Sequence, residues 1–252
     1  MLTEVGTVSF LGIDFANMSY AEVASEVGRL SRQSSFSYIV TPNVDHIVQL
    51  HEGQDEAVVS AFRAAYLGAH RRLCDSRVVQ LLARWRGVHL DVVTGSDLTG
   101  YLFNEGHLDG RKVALIGGDD SIRQELLDRY PAVLVVQHQP PMGVLREPAA
   151  CAQIVDFIES GAFDVVLFAI GAPQSEIIAH QCLLADRSRG VALCIGASIE
   201  FLLGRKARAP RWMQRAKLEW AFRLMSEPRR LWRRYLLIGP RIFRLALASS
   251  DQ

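Results

Sequence analysis

Apolar residues along this chain keep two rhythms that take turns: short β-rich runs, and longer stretches with apolar positions three and four apart. The first is the pattern of strands and the second of amphipathic helices. It predicts a strand or hairpin at 7–15, a helix at 20–32 and a strand at 36–40 that stops at Thr41-Pro42-Asn43. Helical spacing follows at 44–50, 56–66 and 77–85, the last opened by Asp75-Ser76 as a capping pair. Beyond Thr94-Gly95-Ser96-Asp97 come strands at 113–116, 133–137, 164–170 and 191–195, with helices at 121–129, 147–159 and 175–184. Strands separated by helices imply an α/β fold with a mostly parallel sheet covered on both faces.

In such a sheet the ligand lies outside the carboxyl ends of the strands. That rule gathers Thr41 to Asn43, Gly117-Gly118, Gly171-Ala172-Pro173 and Gly196-Ala197 on one rim. Glycines there let backbone N–H groups approach a phosphate, and the helix N-termini that follow favour negative charge. A nucleotide or nucleotide-sugar is the natural guest, although glycines after strands also serve plain tight turns. Neither G-x-G-x-x-G nor G-x-x-x-x-G-K-[ST] occurs, which argues against an ordinary NAD site or a P-loop ATPase.

Charge changes the picture. Of 28 Lys and Arg, 13 lie between positions 205 and 244, with three of the four Trp and only two acids. The rest of the chain holds 15 bases and 25 acids, so a body of net charge −10 carries a segment of +11 behind a total of only +1. A basic segment interleaved with Trp, Tyr, Phe and Leu suits an anionic surface, its cations meeting phosphates and its rings the boundary layer. Trp212, Ala216, Trp220 and Leu224 draw one apolar stripe, of a kind that is more often core or homo-oligomer contact than membrane anchor. No apolar run reaches the roughly 18 residues needed to span a bilayer, and the first residues lack a signal peptide's basic and apolar regions. A cytoplasmic chain is expected. Cys74, Cys151, Cys182 and Cys194 are scattered, which points to buried free thiols rather than a disulfide or zinc framework. His46 and His138 read as hydrogen-bonded or surface histidines, and Asp119-Asp120 as a helix cap.

Taken together, the loops form a set. T-P-N at 41–43, L-C-D-S-R-V-V at 73–79, V-T-G-S-D-L at 93–98, L-I-G-G at 115–118, G-A-P-Q-S-E at 171–176 and G-A-S-I-E-F-L-L-G-R-K-x-R-A-P-R-W-M-Q-R-x-x-L-E-W at 196–220 occur in that order. With R-L-M-S-E-P-R-R-L-W-R-R-Y at 223–235, they resemble the WecG/TagA/CpsF glycosyltransferases, glycosyltransferase family 26, over nearly the whole chain. The resemblance implies a Rossmann-like catalytic domain at 1–203 and a basic helical, membrane-associating appendage at 204–252. It further implies inverting transfer of a sugar from a UDP donor to a polyprenyl-diphosphate-linked sugar, without an essential metal or other cofactor. The setting would be the cytoplasmic face of a bacterial inner membrane, in the synthesis of cell-surface polysaccharide or exopolysaccharide.

Inverting transfer needs a base for the acceptor hydroxyl and stabilisation of the departing UDP. Asp75 matches the family's catalytic Asp, usually set in L-P-D-G and here flanked by Cys74 and Ser76; without the resemblance it is a helix cap. Thr41 and Asn43 match T-x-N, and would otherwise be turn residues. Gly117, Gly118, Gly171, Pro173 and Gly196 are the rim positions expected to bind substrate. The family reads G-x-P-x-Q-E where this chain has Gln174 one place early and Ser175 where Gln is usual; Glu176 fits. Glu200 stands where Asp is usual. With no D-x-D pair to hold a divalent ion, guanidinium groups must meet the diphosphate, and Arg223, Arg230 and Arg233 match the appendage arginines needed for activity. Arg229, Arg234, Arg241 and Arg244 are left to lipid headgroups. The rivals are a nucleic-acid-binding module built on the basic tail, which is disfavoured, and a non-catalytic UDP-sugar-binding or scaffold subunit of a polysaccharide assembly complex.

Overall fold

An antiparallel hairpin of β1 (Thr7–Phe10) and β2 (Ile13–Ala16) precedes six further strands. These are β3 (Phe36–Val40), β4 (Arg71–Arg72), β5 (Lys112–Ile116), β6 (Leu134–His138), β7 (Val165–Phe168) and β8 (Gly190–Cys194). They form one wholly parallel sheet in the order β4-β3-β8-β7-β5-β6. This computed structural model describes residues 6–207, 209–210, 213, 219–232, 236 and 239–248.

Strand sequence follows position. The inner strands β7 and β8, VVLF and GVALC, are buried at every residue, as strands covered on both faces must be. At one edge β6 alternates exposed and buried positions. The other edge, β4, is two arginines long. Arg72 donates from Nε to Asp14 O (2.8 Å) and from a terminal nitrogen to Tyr66 O (2.7 Å), and Arg71 pairs with Glu26 at 3.2 Å. A short charged edge resists pairing with a foreign strand. It also carries no apolar periodicity, which is why the pattern of the sequence does not reveal it.

Of twelve α-helices among the described residues, ten cover the two faces. On the first lie α2 (Val44–Glu52), α3 (Glu56–Gly68), α4 (Arg77–Trp85), α7 (Pro148–Gly161) and α8 (Gln174–Ala185), packed through Ile47, Phe62, Leu82, Ile154 and Ile178. On the second lie α1 (Tyr20–Leu30), α5 (Gly95–Asn104), α6 (Asp120–Arg129) and α9 (Ser198–Leu202), packed through Val27, Leu102, Leu126 and Ile199. Three more helices follow: α10 (Glu219–Ser226), α11 (Pro228–Trp232) and α12 (Arg241–Ala248). The last returns to the first face, where Ile242 and Ala246 are buried in its core.

Local signals set the helix ends. Ser19 and Glu22 form a reciprocal capping box on α1, Asn43 caps α2, Ser76 caps α4, Thr94 caps α5 and Asp119 caps α6. All four cysteines are buried and free. What positions the site is the parting of chain directions above the sheet. β5 leads into α6 on the second face and β7 into α8 on the first, while β3 leads into α2 on the first and β8 into α9 on the second. Neighbouring strands that send their helices to opposite faces leave a crevice at their carboxyl ends.

Candidate active site

The loops after β3 and β4 are zipped together by backbone. Leu73 N–H donates to Val40 O and Asp75 N–H to Pro42 O, both at 2.9 Å, so Asp75 stands beside Thr41-Pro42-Asn43. A parallel bridge between Cys74 and Val92, with Val93 N–H on Cys74 O at 3.0 Å, then brings in the start of α5. Thr41 Oγ1 donates to Cys194 O (3.1 Å) and Ser198 Oγ to Ile195 O (2.5 Å), tying in the end of β8. These ties draw three side chains around one glycine. A Cβ placed on Gly95 would lie 3.3 Å from Ser198 Oγ, 3.4 Å from Thr41 Oγ1 and 3.6 Å from Asp75 Oδ2.

The capping role that Asp75 could have filled falls to its neighbour: Ser76 Oγ accepts from Val79 N–H at 3.2 Å. The Asp75 carboxylate, half-buried, is turned toward Gly95 instead. Tyr20 closes the same corner, its hydroxyl accepting from Thr94 N–H at 3.2 Å. Burial raises the Tyr20 phenol above its usual pKa, and the nearby Asp97 and Asp75 carboxylates add to the rise. Asn43 is the N-cap of α2, its Oδ1 accepting from Asp45 N–H (3.0 Å) and His46 N–H (3.3 Å).

The other half of the rim is backbone. Gly117 and Gly118 follow β5 with φ of +101° and +72°. A Cβ on Gly117 would meet Ile170 Cγ2 at 2.8 Å and Ala169 O at 3.1 Å, so only glycine lets the two loops approach. Cβ atoms at Gly171 and Gly196 would meet nothing within 4 Å, which marks open space above β7 and β8. The Ala172–Pro173 peptide is cis, and Pro173 precedes the first turn of α8. Gln174 Nε2 donates to Ile170 O at 3.1 Å. Ser175, at the family's Gln position, is buried with Oγ donating to Gly171 O at 3.1 Å.

Beneath that loop Glu176 is 1 % exposed, and its Oε2 has no hydrogen-bond partner among the described residues. Burial pushes its carboxyl up to about 7. Its charge bears on Tyr66 and Cys194, whose pKa values burial raises well above normal. His46, buried, pairs its Nδ1 with the Tyr66 hydroxyl at 2.8 Å, which makes it a core histidine.

The basic segment begins on the body. Arg205 bonds Glu125 through two nitrogens and Asp119 Oδ1 at 3.3 Å, while Lys206 pairs with Glu200 at 2.6 Å. Arg241 and Arg244 both reach Glu52. The backbones of Arg223 and Arg230 belong to α10 and α11. Arg233, Arg234, Trp212 and Ala216 lie outside the described residues. Of the residues assembled at the corner, Gly95 and Ser198 stand inside the sequence motifs, whereas Tyr20 carried no local signal. Tertiary ties bring it there: Asn17, just before α1, bonds His89 O and Asp91 N–H, both at 2.9 Å, and Thr94 N–H reaches the Tyr20 hydroxyl.

The fold and rim define a Rossmann-like α/β body with a carboxylate-and-hydroxyl corner at one end and glycine loops at the other. The sequence model of the Glycosyl transferase WecG/TagA/CpsF family matches residues 8–251, and the chain belongs to that family; it is a glycosyltransferase. One relative is the N-acetylglucosaminyldiphosphoundecaprenol N-acetyl-beta-D-mannosaminyltransferase of Staphylococcus aureus (strain MRSA252), 23 % identical over 236 residues that cover 90 % of this chain and 87 % of that one.

Proposed function

We propose that this glycosyltransferase moves a sugar from a UDP donor onto a polyprenyl-diphosphate-linked glycan, with inversion, in the synthesis of a bacterial cell-surface polysaccharide. The observation that carries the reading is the convergence of Asp75, Thr41 and Ser198 on Gly95 at the strand ends. The relative's printed acceptor, a diphosphoundecaprenol carrying N-acetylglucosamine, supports a lipid-linked acceptor here. N-Acetylmannosamine, its uronic acid and a hexose such as glucose or glucuronic acid are the candidate donor sugars.

In the proposed reaction the Asp75 carboxylate takes the proton of an acceptor hydroxyl as its oxygen bonds to the anomeric carbon. The bond from that carbon to the UDP oxygen breaks with its electron pair, and UDP leaves carrying the charge. Charge developing on the diphosphate is met by backbone N–H groups of the loops at Gly118 and Gly171 to Gln174, with the appendage cations Arg223, Arg230 and Arg233; the N–H groups of Gly117 and Gly196 already donate to His138 O and Phe168 O, so those two glycines give the diphosphate room rather than donors. Thr41 and Asn43 orient sugar hydroxyls. In this reading residues 1–203 are the catalytic domain and 204–252 a membrane-associating appendage, and the enzyme works peripherally at the cytoplasmic membrane face. No helix among the described residues is long and apolar enough to cross a membrane.

The test is incubation of the full chain with a panel of UDP-sugars and a polyprenyl-diphosphate-N-acetylglucosamine acceptor, followed by mass spectrometry of the lipid. A gain of one hexose-class unit with a single donor is expected. UDP binding without any gain would favour the scaffold reading, to which Ser175 in place of the usual Gln lends its one supporting observation.

A further inference from the structure

Two helices far apart in sequence meet at the surface of the first face. The groove between them, of about 440 Å³, is lined by Leu81, Leu82, Arg84 and Trp85 of α4 and by Phe243 of α12. Its rims are apolar and exposed: Trp85 is 74 % and Leu247 59 % accessible, with Leu81 and Phe243 about half so. An exposed Trp beside an exposed Phe and two Leu is more than scattered surface apolarity.

Charge complementarity names the partner. Neither α4 (RVVQLLARW) nor α12 (RIFRLALA) contains an acid, and each carries two arginines. Glu52 of α2 bonds Arg241 and Arg244 and is held below its usual pKa chiefly by Arg244. Arg84, Arg241 and Arg244 beside Glu52, around an apolar ridge with a Trp, make the composition of a surface that rests in the headgroup and acyl boundary of an anionic bilayer.

We propose that the α4–α12 ridge is a bilayer-docking surface, with Trp85, Leu81, Phe243 and Leu247 entering an anionic leaflet and Arg84 meeting its phosphates. The inference deepens the functional reading above and rests on it for its purpose. It differs from a tail-only anchor because half the ridge belongs to the sheet body. It also sets a distance. Asp75 stands just before α4 and Trp85 ends it, and a nine-residue helix rises about 13 Å. Docking through the carboxyl end of α4 thus holds the candidate base within one short helix of the lipid surface, where a diphosphate-linked sugar emerges.

The experiment is flotation of the full chain with vesicles of phosphatidylglycerol and phosphatidylethanolamine, compared with phosphatidylcholine alone, in the absence of donor and acceptor. The wild type is expected to float with the anionic vesicles only. Trp85→Ser with Leu81→Ser, and separately Phe243→Ser, are expected to lower the bound fraction about tenfold with unchanged circular dichroism melts. Flotation equal to wild type in both variants would overturn the proposal, as would equal binding to neutral vesicles. So would a variant that breaks a dimer in sedimentation while floating normally, since the ridge would then be a contact between copies. Flotation requires no turnover, so failed docking and failed transfer are separate results.

Discussion

At the β4–β3–β8 end of the rim the walls are side chains, with Asp75, Thr41 and Ser198 all within 3.6 Å of a Cβ built on Gly95. At the β7–β5 end they are backbone, with Gly117 pressed on the Ala169-Ile170 loop and Gly171 facing open space. In the proposed reading, the difference lets one rim serve two partners in a transfer. A reacting hydroxyl needs a positioned proton acceptor, whereas a diphosphate needs donors that can approach closely, which side chains would obstruct.

The strongest blow to the side-chain end is Asp75→Asn. Loss of a general base is expected to cut turnover by about 10³-fold while the melt stays within a degree or two. Near-normal turnover would remove Asp75 from the mechanism and leave this end without its chemistry.

Glu176 lies beneath the junction of the two ends, and its effect is on stability. Its carboxyl binds its proton more tightly folded than unfolded, so this group's contribution to stability is greatest in acid and is lost as pH rises from about 4.5 to about 7. The full cost above that window is about 3 kcal/mol for a shift from 4.5 to about 7. Glu176→Gln should recover much of it at pH 8 and little at pH 4. Chemical denaturation of both proteins at the two pH values checks this, and a stability gap independent of pH would contradict it.

Gly117→Ala probes the backbone end. A positive φ and a 2.8 Å approach to Ile170 are expected to cost about 2 kcal/mol and to weaken UDP binding more than acceptor binding. Gly95→Ala sharpens the contrast from the other side, with an expected loss of roughly tenfold in turnover. Because Gly95 opens a helix at an ordinary φ, the same change should leave the melt unchanged or slightly raised. A fall in stability at Gly95 without loss of turnover would erase the distinction between the ends.

Much of the fold was legible. The strand at Phe36–Val40 and the helix at Arg77–Trp85 lie where the periodicity puts them, because each buries a regular apolar face. Helix α5 does not show in the periodicity: its Gly95 and Gly100 depress helix propensity and its apolar residues are buried on most sides, so no amphipathic stripe appears. The two-residue β4 does not show either, because arginine hydrogen bonds, rather than apolar alternation, hold it. At the site, Asp75 and Thr41 could be picked from their motifs. The division of labour between Asp75 and Ser76 could not, since either residue is a good cap.

By itself the sequence determined the alternation of strands and helices, the glycine loops at strand ends, the segregation of charge into a basic segment and the family. These are local or compositional properties, carried by spacing and residue type. Tertiary structure alone decided that Asp75, Thr41 and Ser198 share one corner with Tyr20, that the carboxyl of Glu176 is sealed from water, and that α12 folds back to set Phe243 beside Trp85. Each of these depends on strand order and on which face a helix covers. They follow from burying two apolar faces of one sheet at once, a long-range condition that no stretch of sequence contains.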